Sequence, residues 1–474
     1  MYSRRPKQVA AGRTEVQRMI LLPLLVLLAG CGAGEAPRGS LPAGQDRPLL
    51  LLVTPGSVVD VDAVAHVSVK AAGADSTITL SPGSHGLAVA GRRVTGTFAG
   101  VGAVRVSVAS RDSDGVLTTI EFNIVAPAPE PGRPVLPDRP FTYDDLQLDL
   151  PPSYRESRQS GAPYWDTTPE TNPVSDAGAT LGRVLFYDKR LSSTNTHSCG
   201  TCHQQKHGFA EPRSFSVGAT GEPTRRNAMG LANVRYSLRD RFFADARVRT
   251  LESLALIPIQ DHVEMANTLP NMVAKLQATD FYPPLFQAAF GSAQISADRV
   301  GMALAQFLRS LISYRAKADT AYPEGGDSRF PEATPGFTAQ ENEGLKLLID
   351  GNCLHCHVDR VLTMVDPANT GLDVESVDPG QGDGTFRAAS LRNIRHTAPY
   401  MHDGRSQSLR EVIDHYDTGI KPAQSLSPLL RVRNGDAPRR LNLTERQKRA
   451  LEAALDTFTD SAMLEDPKFS DPFH

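Results

Sequence analysis

From about residue 49 to residue 125, apolar and polar residues alternate with a period of two. In "HVSVK", Val67 and Val69 alternate with His66, Ser68 and Lys70. In "VRVSV", Val104, Val106 and Val108 alternate with Arg105 and Ser107, and "TIEFNIV" repeats the device through Ile120, Phe122 and Ile124. Such runs place one face on a core and the other in water. Separated by Gly-rich turns, they predict a small all-β, Ig-like sandwich over 49–126. Nothing in this stretch carries chemistry, so its expected role is that of a spacer or adhesion module.

Six prolines between Pro127 and Pro140 then mark a stiff linker over 127–145. Beyond it the period becomes helical, and the chain is expected to be mainly α. "ADRVGMALAQFLRSLISYRA" puts Val300, Leu304, Phe307, Leu308 and Leu311 on one face. Thr338 with Glu341, and Thr444 with Gln447, form two capping boxes. The second opens a helix carrying Leu451, Ala454, Leu455 and Phe458. Long loops rich in Gly, Pro and Asp separate these helices, which suggests a fold organised around something other than its own side chains.

The first residues change the picture. Arg4, Arg5, Lys7, Arg13 and Arg18 precede the apolar run "MILLPLLVLLAG", too short and too early for a spanning helix. The stretch reads as an export signal over 1–31. It closes on "LAGC", which resembles a bacterial lipobox with Cys31 as the lipid-bearing residue, followed by a Gly/Pro/Ala-rich tether over 32–48. The alternatives are an ordinary signal peptide with an incidental cysteine and, from "SRRPK", a twin-arginine signal. The expected place is outside the inner membrane, on the periplasmic side, held by a lipid on the membrane, the outer one in preference. A near balance of 50 basic and 53 acidic residues gives no sign of a nucleic-acid partner.

With Cys31 set aside, the remaining four cysteines form two copies of one pattern, Cys199-x-x-Cys202-His203 and Cys353-x-x-Cys356-His357. In C-x-x-C-H, two thiols add to one haem edge and the adjacent imidazole becomes the iron's proximal ligand. A zinc site shared by the four cysteines, or a redox C-x-x-C, leaves both histidines unexplained. Two covalently bound c-type haems are therefore expected.

From about Leu146 onward the chain resembles the bacterial di-haem cytochrome c peroxidase family, which includes MauG and MbnH. The matching segments are "LGRVLFYDKRLSSTNTHSCGTCH", "RRNAMGLANV", "LESLALIPIQDHVEM", "AASLRNIRHTAPYMHDGRSQSLREVIDHY" and "DPKFSDPF", in family order. The resemblance implies two cytochrome c-like helical haem lobes, 146–330 and 331–474, facing one another across a calcium ion. It implies a hydrogen-peroxide-reacting haem on His203 and an electron-transfer haem on His357. Glu264, in "DHVEM", matches the distal acid–base glutamate. Asn227 matches the side-chain ligand of the calcium, and Thr397 and Pro399 match its backbone carbonyl ligands.

The chain also departs from the family. The loop "RSFSVGATGEPTRRN" lacks the histidine that blocks the first iron in enzymes needing reductive activation. Tyr416 stands where the distal ligand of the second haem is methionine or tyrosine, and Met401 fills a packing position. Ala244 stands at the inter-haem tryptophan and Leu254 at a distal glutamine, while the single tryptophan, Trp165, lies before the first motif. The expected activity is peroxide reduction. The electrons would come from a small cytochrome or cupredoxin, or from a residue such as tryptophan on a partner protein. The rival expectation is a non-catalytic electron-transfer cytochrome or haem sensor.

Overall fold

The computed structural model describes residues 50–66, 76–111, 117–144, 148, 150, 151, 154, 166–236, 241–321, 334–357, 367–433 and 435–473. Cys31, Trp165 and the expected strand through Val67 and Val69 lie outside the described residues.

Among the described residues seven strands come first: β1 (Leu50–Leu52), β2 (Val58–Asp62), β3 (Ser76–Leu80), β4 (Leu87–Ala90), β5 (Arg93–Thr97), β6 (Gly102–Arg111) and β7 (Leu117–Ala126). They form two sheets, ordered β1-β7-β6-β3 and β2-β5-β4. β1 runs parallel to β7, and every other pairing is antiparallel. The two sheets enclose one core, with Val59 and Val94 from one and Val104, Val106, Val108, Phe122 and Ile124 from the other. The alternation seen in the sequence is therefore real over Val104–Val108 and Phe122–Ala126, whose even-numbered residues face this core, while Ile120 is only half-buried. Their odd-numbered neighbours Arg105, Ser107, Glu121 and Asn123 share the opposite face, and Arg105 pairs across the strands with Asn123.

The Pro-rich segment is laced to the helical body. Ala128 N–H donates to the Thr194 carbonyl at 2.7 Å, and Val135 N–H to the Pro472 carbonyl at 2.7 Å. The nearly buried Arg190 donates to the carbonyls of Pro131 and Gly132 and pairs with Glu130 at 2.9 Å.

Among the described residues the helical region builds two large buried clusters and two small ones. The first contains α1 (Asp176–Tyr187), the short α2 (Cys199–Cys202), α3 (Leu251–Gln260), α4 (Leu269–Gln277), α5 (Tyr282–Phe290) and α6 (Ala297–Ser310). Val300, Leu304, Phe307, Leu308 and Leu311 all lie in its core. The second is built on α7 (Ala339–Asp350), α8 (Leu409–Asp414) and α9 (Glu445–Asp456). Both capping boxes are formed, at Thr338 and at Thr444.

One device is used twice. In each cluster the helix that leads into a cysteine motif crosses a later helix at a glycine. A Cβ on Gly182 of α1 would collide with the Ala303 carbonyl oxygen of α6, and one on Gly344 of α7 with the Ala450 carbonyl oxygen of α9. Residues beyond α9 return to the first cluster, where Met463 and Phe469 join its core. Tyr187 Oη donates to the Phe469 carbonyl at 2.6 Å and Arg183 Nε to that of Ser470 at 2.7 Å.

Because backbone blocks the added methyl at both crossings, Gly182→Ala and Gly344→Ala must push two helices apart. Each should cost about 1–3 kcal/mol, the usual range for overpacking. Thermal unfolding checks this, with Gly132→Ala, whose Cβ meets nothing within 4 Å, as the neutral control.

Candidate functional site

The first motif is one helical turn. The Ser198 N–H donates to Thr201 Oγ1 at 2.9 Å, and the turn continues through His203 N–H to the Cys199 carbonyl at 2.9 Å. Gly200 is the only residue that fits under the Tyr187 ring, which a Cβ there would enter. His203 Nδ1 lies 2.8 Å from the Phe209 carbonyl oxygen. A carbonyl only accepts, so Nδ1 carries the proton and the Nε2 lone pair is left for a metal. Burial lowers the pKa of this imidazole, which keeps it neutral, as a ligand must be.

The thiols argue in the same direction. Burial pushes Cys199 up to about 12, Cys202 to about 11 and Cys353 to about 11, and it raises Cys356 as well. Redox-active cysteines have lowered values, and zinc sites need converging thiolates. Among the described residues no three His, Cys, Asp or Glu side chains gather as a metal site. The two cysteine pairs thus stand apart, each beside its own histidine, which fits two separate haems and not one shared zinc.

Glu264 is held over the first motif by a closely bonded loop. α3 ends at Asp261, whose N–H donates to the Ile257 carbonyl at 3.0 Å. The Asp261 carbonyl then accepts from Glu264 N–H at 3.1 Å and from Ala266 N–H at 2.8 Å. From the other side, Ala219 N–H donates to the Glu264 carbonyl at 2.7 Å. The carboxylate lies close enough to Cys199 and Cys202 for its charge to raise both thiols. Burial, and next the Asp261 charge, push the Glu264 carboxyl up to about 7, against the opposing pull of Arg247. A carboxyl balanced near neutrality both takes and returns a proton.

Arg247 belongs to an ion-pair chain that leads away from this site. It pairs with Asp245 at 2.7 Å, Asp245 with Arg226 at 2.6 Å, and Arg226 with Asp378 at 2.7 Å. Ala244 lies in the same loop, and its carbonyl accepts from Arg387 N–H at 2.7 Å. Phe243, with φ of 67°, lies under the Arg247 guanidinium, 3.9 Å from it.

The second motif is a 3₁₀ turn, Cys353–His355, carried on by His357 N–H to the Cys353 carbonyl at 3.0 Å. Opposite it, α8 passes into a π-helical turn over His415–Gly419. Such turns re-aim side chains and are frequent at functional sites. Here the turn directs Tyr416 toward the second motif. Burial, followed by Cys356 and Cys353, raises the phenol well above its ordinary value. Met401 lies in a turn with φ of 73°.

Asn227, Thr397 and Pro399 lie on facing loops. Asn227 N–H donates to the His402 carbonyl at 2.8 Å and its Nδ2 to the Arg213 carbonyl at 2.9 Å. Thr397 Cγ2 fills the space that side chains on Gly208 and Gly230 would need. His197 Nε2 lies 3.0 Å from the Val217 carbonyl of the histidine-free loop, and His262 Nε2 lies 2.8 Å from Arg105.

Residues 176–327 match the family model described as di-haem cytochrome c peroxidase. The methylamine utilization protein MauG of Methylophilus methylotrophus is 32% identical over 288 residues, covering 59% of this chain and 82% of that protein. The chain belongs to the di-haem cytochrome c peroxidase family. Cytochrome c551 peroxidase of Pseudomonas aeruginosa is 29% identical, over 51% of this chain and 72% of its own. The crystal structure of a MauG-like protein associated with microbial copper homeostasis superposes with a TM-score of 0.58 at 32% identity. It covers 65% of this chain and 97% of that one. Membership brings two c-type haems and peroxidase-type oxidoreductase activity on hydrogen peroxide. No helix among the described residues is long and apolar enough to cross a membrane.

Sequence reasoning missed Arg247, Arg226 and Arg105. The partners Asp378 of Arg226, and Glu222 and His262 of Arg105, lie far away in the chain, whereas Arg247 pairs locally with Asp245 and only its approach to Glu264 is a fact of three dimensions.

Proposed function

We propose that hydrogen peroxide is reduced at the first motif, where Cys199, Cys202 and His203 hold one haem, with electrons relayed from a second haem held by Cys353, Cys356 and His357. Bound there, the haems supply the iron site and the two electrons that convert peroxide and two protons into two waters. Glu264 takes the proton from one peroxide oxygen and delivers it to the departing one. The observation that carries this reading is the buried Glu264 carboxyl beside Cys199 and Cys202, with its pKa near neutrality. A purely electron-carrying cytochrome or haem sensor has no use for such a group.

Tyr416, directed at the second motif, supports a tyrosine ligand for the second iron. Together with a loop free of histidine, it favours electrons drawn from an oxidisable residue, such as tryptophan, on a partner protein. A small cytochrome or cupredoxin is the other donor this chemistry accepts. Asn227, Thr397 and Pro399 would hold one calcium between the two haem lobes, whose oxygen-only ligation suits a hard cation. The lobes span 146–330 and 331–474. The sandwich at 49–126 is Ig-like, as the two-sheet strand order supports. Cys31 would anchor the exported chain to the membrane on the periplasmic side through a lipid.

The Glu264 carboxylate must be free to accept a proton, so the peroxide reaction rate should rise with pH through about 7 as that carboxyl ionises. Glu264→Gln should lower the rate by about 10²–10⁴-fold and flatten the profile while keeping both haems. Stopped-flow mixing with peroxide across pH 5–9 checks this, and an unimpaired Gln variant removes Glu264 from the mechanism. Tyr416→Phe should change the absorption spectrum of the second haem alone, and an unchanged spectrum rules Tyr416 out as a ligand. Cys31→Ser should move the protein from the membrane to the soluble fraction; identical fractionation rejects the anchor.

A further inference from the structure

Around Arg105, Ser107, Glu121 and Asn123 the polar face of β6 and β7 is partly covered and not open to water. It meets the two loops that fix Glu264. Arg105 Nη2 donates to Glu222 Oε1 at 2.6 Å, and its Nη1 lies 2.8 Å from His262 Nε2. The same Nη1 donates to Glu121 Oε1 at 3.2 Å, and Ser107 Oγ donates to that oxygen at 2.6 Å. A guanidinium only donates. His262 Nε2 is therefore the acceptor and Nδ1 bears the proton, on the side where Glu121 Oε2 lies 3.6 Å away. Asn123, the cross-strand partner of Arg105, donates to the Ala266 carbonyl at 3.4 Å.

One side chain of the sandwich thus joins both ends of the Glu264 support. Glu222 closes the turn whose Ala219 N–H holds the Glu264 carbonyl, and Thr220 Oγ1 donates to the His262 carbonyl at 3.2 Å. Gly218 is pressed against the Val263 and Glu264 carbonyls, where a Cβ has no room. Arg105 is about one-quarter exposed and Glu222 about one-tenth, so this ion pair is largely shielded from solvent.

We infer that the N-terminal sandwich is a working part of the peroxide site, with Arg105 as a positioning residue that clamps the 218–222 turn to the 261–266 loop and so fixes the Glu264 carboxyl. The inference rests on the proposed role of Glu264. The charged groups around that carboxyl are Asp261 and Arg247, while Glu121, Glu222, His262 and Arg105 form the clamp behind it. When the clamp opens, water enters and the desolvation that holds the Glu264 carboxyl up is relieved.

The test uses the full-length, haem-loaded chain with Arg105→Gln, Glu222→Gln and, as control, Arg93→Gln, which breaks the exposed Arg93–Asp60 pair in the other sheet. Hydrogen exchange should quicken at residues 218–222 and 261–266 in the first two variants and nowhere else. The midpoint of their peroxide pH profile should move below 7, and the rate should fall about tenfold or more, as a displaced catalytic group costs. Arg93→Gln should match the parent in all three readouts. Glu222→Gln cuts the same contact from the other side, so the test holds if Arg105→Gln does not accumulate. Parent-like exchange in both loops overturns the clamp. Faster exchange with an unmoved pH midpoint overturns its link to Glu264. Exchange reports the clamp even where Glu264 plays no part in peroxide chemistry, so the two failures are distinguishable.

Discussion

Backbone-to-backbone contact at two glycines is the constraint on which each helical cluster rests. Gly182 and Gly344 let the helix before each cysteine motif lie directly on a later helix, with a carbonyl oxygen where a methyl would otherwise stand. That contact fixes the axis of the leading helix. The motif follows within a few residues of its end after α7, and after one further 3₁₀ turn in the case of α1. The cores around these crossings are apolar, and they keep the thiols neutral and the His203 ring uncharged by withholding water. Packing and chemistry are thus the same fact seen at two scales.

The two motifs share this frame but face different groups. The first meets a carboxyl on a loop held by backbone bonds, and the second meets a phenol on a π turn. A carboxyl with a pKa near 7 exchanges protons at working pH, whereas a phenol raised by burial does not. In the function we propose, the difference between proton handling and electron relay would thus be carried by the residues opposite the motifs, not by the motifs themselves.

Much of this was legible in the sequence, for local reasons. A capping box is complete within four residues, and an amphipathic face within a few turns, so Thr338, Thr444 and the Val300–Leu311 stripe read directly. The period-two runs of β6 and β7 foretold strands, and Val104, Val106, Val108, Phe122 and Ile124 are the side chains that fill the core between the sheets. What period cannot give is the partner of the polar face. The spacer reading of the sandwich does not anticipate Arg105 beside Glu222 and His262, because the pairing joins residues more than a hundred positions apart. The Arg226–Asp378 pair escaped for the same reason. Glu264 was singled out through the family resemblance of "DHVEM", whereas its burial emerges only in three dimensions.

The return of Met463 and Phe469 to the first cluster bears on how the molecule is made. During synthesis, the residues around Cys199 and Cys202 emerge long before the side chains that complete their core. Until residues 463–473 arrive, the Phe209, Phe307 and Tyr187 neighbourhood lacks its closing aromatic ring. The second cluster waits for less chain, since Leu451 and Phe458 follow Cys353 by about a hundred residues, whereas Phe469 follows Cys199 by 270. The first thiols are thus left accessible for longer, a window in which covalent modification precedes burial. The order of translation and the order of core closure run in opposite directions here.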